Sequence, residues 1–385
     1  MSRTVNPAIN RRSAACLAFA LCMITSAVNL QAPLYDAFAA RDGLGVGATT
    51  VAFACYVMGV LPVLLGLNGL AERVGRKPLI VTALLLSLLA TTLTLVAPNL
   101  YALGVTRFLL GISMGLTSAV APAYMQIVLE GKDNRVATNY VTASTALGFG
   151  LGAAVTSLFV FHTPSVSPPS LWLYLAFASL ALVAVSTLKD RAPNATKSPM
   201  LRLPSYPPGA FAYGLAIMLA WAMVGLVIAI LPSTLQQHGL SAWSGFATFG
   251  ICSCGVLFQP WARKLKPYAA TRLGLLILPL AYGLTAWGAV HGYLVAVLLG
   301  TIAASSACYG FIYLGGLSGV LAVAGTSSTQ ASAGYFLMAY LGFSIPVITT
   351  GILIDAVGHT PALTLFGLAL LGGVISTIFL LRKAQ

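Results

Sequence analysis

Charge is what this chain has least of: Asp, Glu, Lys and Arg make up 7% of its 385 residues, against about 25% in an ordinary soluble domain. Only 7 residues are acidic, too few for a solvated surface or for a site built on clustered carboxylates. The 6 cysteines (Cys16, Cys22, Cys55, Cys252, Cys254, Cys308) all fall inside apolar runs, so neither a disulfide framework nor a zinc-ligand spacing is on offer. Cys252 and Cys254 are two apart and point to different sides of a helix, which argues against a metal pair and for small packing residues. No phosphate-cradling GxxxxGK[ST] loop occurs. His162, His238, His291 and His359 lie in breaks between apolar runs, and no soluble domain is long enough for a hydrolytic apparatus. Nucleotide-driven pumping is therefore not expected of this chain alone.

Apolar residues supply 58% of the chain, and a bilayer-spanning helix needs about 20 of them in succession. Twelve such runs emerge, at 14–35, 47–70, 79–97, 102–126, 136–160 and 171–188, then at 210–232, 243–261, 273–290, 294–322, 331–354 and 362–381. The run 294–322 is too long for one straight crossing and must tilt or overhang. Basic residues precede the first run, as in a secretion signal, but the run is longer than a signal core and no convincing cleavage site follows, so it is read as a retained helix. With the amino terminus inside, 18 of the 20 Lys and Arg fall on the inner side. Arg41 alone lies outside and Arg107 lies within a span, so the positive-inside rule puts both termini in the cytoplasm. The net charge of +13 is then topology, assisted by anionic lipid, and needs no nucleic-acid partner.

The longest cytoplasmic break, 189–209, is rich in Pro, Ser and basic residues and reads as a linker. It separates a six-helix bundle at 1–188 from another at 210–385, each entering and leaving on one side, as parallel repeats do. The first span ends NLQAPLYDAF and the seventh AILPSTLQQH, a faint internal similarity. The fold class expected is all-α integral membrane, with 12 transmembrane helices in two bundles.

Between spans two and three stands Asn68-Gly69-Leu70-Ala71-Glu72-Arg73-Val74-Gly75-Arg76-Lys77. A tight Gly-bearing turn there gathers a carboxylate and several cations at the membrane surface, where they can latch one bundle against another. The segment resembles the GxLaDRxGRK loop signature of the major facilitator superfamily, with Asn68 for the first Gly and Glu72 for the Asp. The resemblance implies a conformational latch of Gly69, Glu72, Arg73, Gly75, Arg76 and Lys77. In it Glu72 faces the positive N-terminal end of span eleven, near Ala331 to Gly334, and holds the outward-facing state.

Arg107 lies about six residues into span four, where a cation costs several kcal/mol unless paired or hydrated, so it is a functional candidate by default. Arg107, Gly111 and Gly115 recur every four residues and give a cation above a smooth helix face. The pattern resembles the RxxxGxxxG of the superfamily's fourth span, whose Arg lies at the central cavity and is associated with proton coupling. The alternative is an Arg held by the polar side chains of span one. Span five carries Ser144, Gly148, Phe149, Gly152 and Ala153 where the superfamily's antiporters have GxxxGPxxGG. Gly148 and Gly152 keep the close-packing spine, and the missing Pro weakens the case for antiport.

In span one, Thr25, Asn29 and Asp36 fall at helical spacing on one side, and Gln31 and Tyr35 share another. Family antiporters often have an acid part-way along this span; here the residue is Asn29. All the acids (Asp36, Asp42, Glu72, Glu130, Asp133, Asp190, Asp355) lie at span ends or in breaks. Asp36 is the first candidate for a proton carrier and Asp355 the second, and each reads equally well as a solvated cap. Among Trp221, Tyr309, Tyr313, Tyr335 and Tyr340 in the second half, Tyr309 and Tyr313, four apart on span ten, are taken to line the cavity.

The expected activity, implied by the resemblance, is secondary active transport by alternating access. The cargo expected is a small amphipathic or anionic compound (a drug, metabolite or metal-chelating product), exported across the bacterial inner membrane by proton antiport. The substrate/proton pathway comprises Arg107, Asn29, Gln31, Tyr35, Asp36, Tyr309 and Tyr313. The partners are the lipid bilayer, the small-molecule substrate and protons; no metal, cofactor or enzymatic role is expected, and a monomer suffices. An importer or uniporter of a neutral nutrient, and a non-transporting membrane sensor or scaffold, stay open as alternatives.

Overall fold

A computed structural model of the chain describes residues 7–67, 69–130, 134–190, 200–201 and 203–383. Asn68, Lys132, Asp133 and the linker stretch 191–199 lie outside the described residues. The described residues are helical and contain no strand. Among the described residues, twelve stretches are long and apolar enough to cross a membrane: α1 Arg11–Asp42, α2 Val46–Gly66, α3 Arg76–Val96, α4 Leu100–Val128, α5 Arg135–His162, α6 Pro169–Ser186, α7 Ala210–Ala229, α8 Ser241–Ala262, α9 Pro267–His291, α10 Leu294–Ala324, α11 Ser328–Val357 and α12 His359–Lys383. They coincide with the twelve apolar runs, since a peptide group in hydrocarbon must find its hydrogen bond within its own helix.

The departures from straight helices occur where the backbone has a local reason. α1 is helical to Leu30, tightens into a 3₁₀ turn at Ala32–Leu34 and resumes as Tyr35–Asp42. Pro33 has no N–H to give an α-helical ladder, and the Leu34 amide turns back to the Gln31 carbonyl at 2.8 Å. The break interrupts the helical register expected between Asn29 and Asp36. α7 does the same at the equivalent place: it ends at Ala229 and a short helix, Leu231–Gln236, follows with Pro232 in its first turn. The weak likeness between the ends of spans one and seven thus corresponds to a shared backbone break. α10 absorbs its excess length in a π-helical segment, Ser306–Ile312, and the Tyr335 hydroxyl from α11 donates to the carbonyls of Ile312 (3.1 Å) and Tyr313 (3.2 Å) at its end.

Small residues set the tightest crossings. A side chain at Gly111 would strike the Tyr56 carbonyl, and one at Gly115 the Val63 side chain, so α4 lies directly on α2. Gly148 and Gly152 meet the backbone of Cys22 and Ser26, which brings α5 equally close to α1. The first six spans and the last six meet chiefly where α2 packs on α11 and α5 on α8.

Candidate functional site

Between α1, α2, α4 and α5 on one side and α7, α8, α10 and α11 on the other lies a cavity of about 640 Å³. It opens at the face that carries the α2–α3 loop, where Glu72, Arg76, Thr329 and Ser332 form the mouth. Glu72 and Arg76 are the only charged residues among its described lining. Further in, the walls are threonines and apolar groups, and the floor is aromatic: Trp221 of α7 packs against Tyr340 (5.2 Å between ring centroids), Phe343 (5.7 Å) and Tyr309 (6.3 Å). Tyr56 of α2 closes the set against Phe343 at 6.0 Å and Tyr340 at 6.3 Å.

Two polar atoms at this floor have no partner. The Asn29 side chain, 1% exposed, donates through Nδ2 to the Phe149 carbonyl at 2.8 Å and to Cys252 Sγ at 3.8 Å, while its Oδ1 accepts nothing. The Trp221 Nε1–H is likewise unsatisfied.

The opposite face is closed. Asp355, at the end of α11, caps the first turn of α2: Oδ1 accepts from the Val46 amide and Oδ2 from the Gly47 amide, each at 2.8 Å. Gly45 and Gly47 leave the space this carboxylate occupies, for a Cβ at Gly45 would lie 2.5 Å from Asp355 Oδ1. At the same end of the spans α5 and α8 meet through Gly245, whose amide donates to Ser157 Oγ at 2.9 Å, and nearer mid-span through Ser253, whose hydroxyl donates to the Ala146 carbonyl at 2.7 Å.

Arg107 is 0% exposed and stands behind the floor. Its Nε donates to the Phe53 carbonyl (3.3 Å) and one terminal nitrogen to the Val28 carbonyl (2.5 Å). Its guanidinium carbon lies 4.5 Å from the Phe53 ring centroid and 4.9 Å from that of Tyr56. The cation therefore meets the backbone at the C-terminal end of the first helical segment of α1, where positive charge is favoured, and two rings screen it. Its second terminal nitrogen, Nη2, has no partner. Gln31 and Tyr35, both 0% exposed, and Asp36 fall on the closed side of this plug. Both Gln31 amide atoms, the Tyr35 hydroxyl and Asp36 Oδ2 are unpartnered there.

The structure thus separates the expected pathway residues. Asn29, Tyr309 and Tyr313 line the cavity, whereas Arg107, Gln31, Tyr35 and Asp36 lie beyond its floor. Trp221, Tyr340, Tyr56, Phe343, Cys252 and Gln259 also line it. Trp221 and Tyr340 were candidates by residue type alone, and no spacing singled them out. Tyr335 braces α10 instead.

In the loop, Glu72 and Arg76 are on the mouth, and Gly69 and Gly75 bound the short helix Leu70–Val74, with Arg73 exposed in its last turn. Gly75, at φ +91°, takes a conformation that disfavours any other residue and leaves room for Asp190. Asp190 Oδ2 accepts from the Lys77 amide at 2.9 Å, and Lys77 Nζ donates to the carbonyls of Ser186 (2.5 Å) and Leu188 (2.8 Å). Lys77 therefore ties the loop to the end of α6. At the start of α11, Ser205 donates to the Gln330 carbonyl (3.1 Å) and the Tyr206 hydroxyl to that of Gly334 (3.3 Å). The end of the linker thus bonds to the start of α11.

A family model described as Major Facilitator Superfamily matches residues 17–345. A stretch of 56 residues is 43% identical to "Putative metabolite transport protein YncC" of Bacillus subtilis (strain 168), and the match spans 14% of this chain and 12% of that protein's length. Among solved structures, the nucleoside transporter NupG superposes with a TM-score of 0.74 at 13% identity, over 98% of each chain. A POT family transporter in complex with 5-aminolevulinic acid gives 0.74 at 13%, over 100% of this chain and 98% of that one. The human organic anion transporter MFSD10 (TETRAN) gives 0.58 at 16%, over 97% and 99%. At such identities these likenesses speak for the fold alone.

Proposed function

Because the chain belongs to the major facilitator superfamily, we propose that it is a secondary active transporter that exports a small amphipathic compound across a bacterial cytoplasmic membrane, by alternating access and in exchange for protons. The observation that carries this reading is the cavity of about 640 Å³, open at the loop face and sealed at the other by the Asp355 cap and the α5–α8 crossing. The clustering of Lys and Arg makes the loop face cytoplasmic, so the arrangement is inward-open and poised to load from inside. An amphipathic cargo suits the walls better than an anionic one, since the rings of Phe53 and Tyr56 screen Arg107 from the cavity.

Proton coupling is assigned to Asp36. Asp42 accepts the Leu100 amide, Asp190 the Lys77 amide, and Asp355 the amides of Val46 and Gly47. Asp36 instead keeps a buried oxygen without a partner on the closed side, where a proton can be taken up when that side opens. The test is uptake into vesicles of fixed orientation under an imposed pH gradient, read in both directions. Export coupled to proton entry is expected, with coupling lost and downhill exchange retained in Asp36→Asn. Indifference to the gradient sinks antiport and leaves uniport or import, and no movement of any solute leaves a sensor or scaffold.

A further inference from the structure

The floor of the cavity specifies its cargo more narrowly. Resting on the reading of this cavity as the cargo site, we infer that it takes a neutral, planar heteroaromatic solute that carries an N–H donor and a carbonyl-type acceptor on its edge.

Three observations converge. First, no formal charge stands at the floor: Glu72 and Arg76 are at the mouth, and the guanidinium of Arg107 is fully buried, engaged by two carbonyls and covered by two rings. A cation driven into such a place meets the uncompensated guanidinium behind Tyr56, and an anion gives up its hydration without a direct ion pair, since the rings stand between. Second, the rings of Trp221, Tyr340, Tyr309, Tyr56 and Phe343 converge there from α7, α11, α10 and α2. Aromatic solutes gain stacking and edge contacts in such a site beyond simple burial. Third, the two unsatisfied atoms are of opposite kind. Trp Nε1–H can only donate, and Asn29 is left with an acceptor because its amide nitrogen is committed to Phe149. A ligand that supplies an acceptor to Trp221 and a donor to Asn29 answers both once the side chains that cover these buried atoms yield to it, and a lactam or similar amide edge on a flat ring carries that pair of groups. The volume is within the range of small-molecule sites, and the buried polar pair fixes orientation, as polar groups in apolar pockets do.

The experiment uses the full-length protein in lipid nanodiscs and tritiated 2-quinolinone, which is flat, neutral, and carries both groups. Competitors are quinoline-2-carboxylate, N-methylquinolinium, naphthalene and caprolactam. Binding of 2-quinolinone is expected, with the anion and the cation at least about a hundredfold weaker. Trp221→Phe and Asn29→Ala should each weaken 2-quinolinone about fivefold to tenfold, while naphthalene, which has neither group, is unaffected by Asn29→Ala and loses with Trp221→Phe only what the smaller ring forfeits. An unchanged melting profile certifies the folding of both variants. The inference is overturned if the carboxylate competes as well as the neutral compound, if naphthalene loses as much as 2-quinolinone in the variants, or if no aromatic probe binds. Counter-flow of the same compound in vesicles separates the two readings: binding without movement defeats the transporter reading and leaves the site, whereas movement without discrimination of charge defeats the site and leaves the transporter.

Discussion

At the scale of a single residue, Arg107 was visible in the sequence as a cation within a span, and the reason it is tolerated was not. Its ring partners Phe53 and Tyr56 come from α2, which has no charge or polar pattern facing α4. Its carbonyl partner Val28 is two residues before the end of the first segment of α1, a break that depends on Pro33. Arg107 is thus a clamp holding α4 to α1 and α2, with the proposed cargo site on the far side of Tyr56. Arg107→Leu leaves two carbonyls to find other donors at a cost of about 1–3 kcal/mol, so a lower melting temperature is expected in detergent or nanodisc. Arg107→Lys, which brings one compact ammonium where a fork reached two carbonyls, should lie between. A group that served only the cargo would leave both melts at the wild-type value and change solute binding alone.

At the scale of elements, hydropathy reveals a span because the bilayer demands about 20 apolar residues, and all twelve were legible for that reason. What hydropathy cannot show is which side of each span faces the cavity. Trp221, Tyr340, Phe343 and Tyr56 sit on three helices with no shared spacing, and only packing assembles them. Asp355 is of the same kind: from sequence it was a span-end acid, a candidate proton site or a solvated cap, and in the structure it caps another helix. Its two hydrogen bonds to the first turn of α2 also place a negative charge at a positive helix end. Removing them should shift the balance of states toward opening at that face by about 1–2 kcal/mol, or five- to thirtyfold. The check is electron-electron distance measurement between spin labels at Leu44→Cys and Val357→Cys, with the 6 native cysteines replaced. Both sites are at this face and exposed. Asp355→Ala should transfer population to a longer distance. An unchanged distribution would show that the α5–α8 crossing alone holds the seal.

At the scale of the whole molecule, α2 runs from the closed face to the loop face and α11 runs back, so each end of this antiparallel pair sets a helix N-terminus on the same face as a carboxylate. At the closed face Asp355 of α11 meets the start of α2. At the loop face Glu72, just past α2, shares the open mouth with Thr329 and Ser332 in the first turn of α11. If the two sets of spans rock as rigid bodies about the cavity, closing one end pries the other apart, and the two carboxylates act as alternative latches of the same chemistry. Ser205 and Tyr206 bond to the carbonyls of Gln330 and Gly334 near the start of α11, groups for which a carboxylate does not compete. The two latches must therefore be coupled in sign: weakening one favours the other. Cysteines at Glu72 and Ser332 would remove the inner latch, so the inner distance is better followed with a pair at Ala71→Cys and Ser332→Cys, joined by a short bifunctional thiol reagent. With Asp355 intact this crosslink should form slowly, because the mouth is open in the favoured state. Asp355→Ala should accelerate it about five- to thirtyfold, the same factor by which the population moves, and Glu72→Gln added to Asp355→Ala should return the rate part of the way. Acceleration by Asp355→Ala that Glu72→Gln leaves untouched would mean that the faces open and close together without Glu72 contributing to closure.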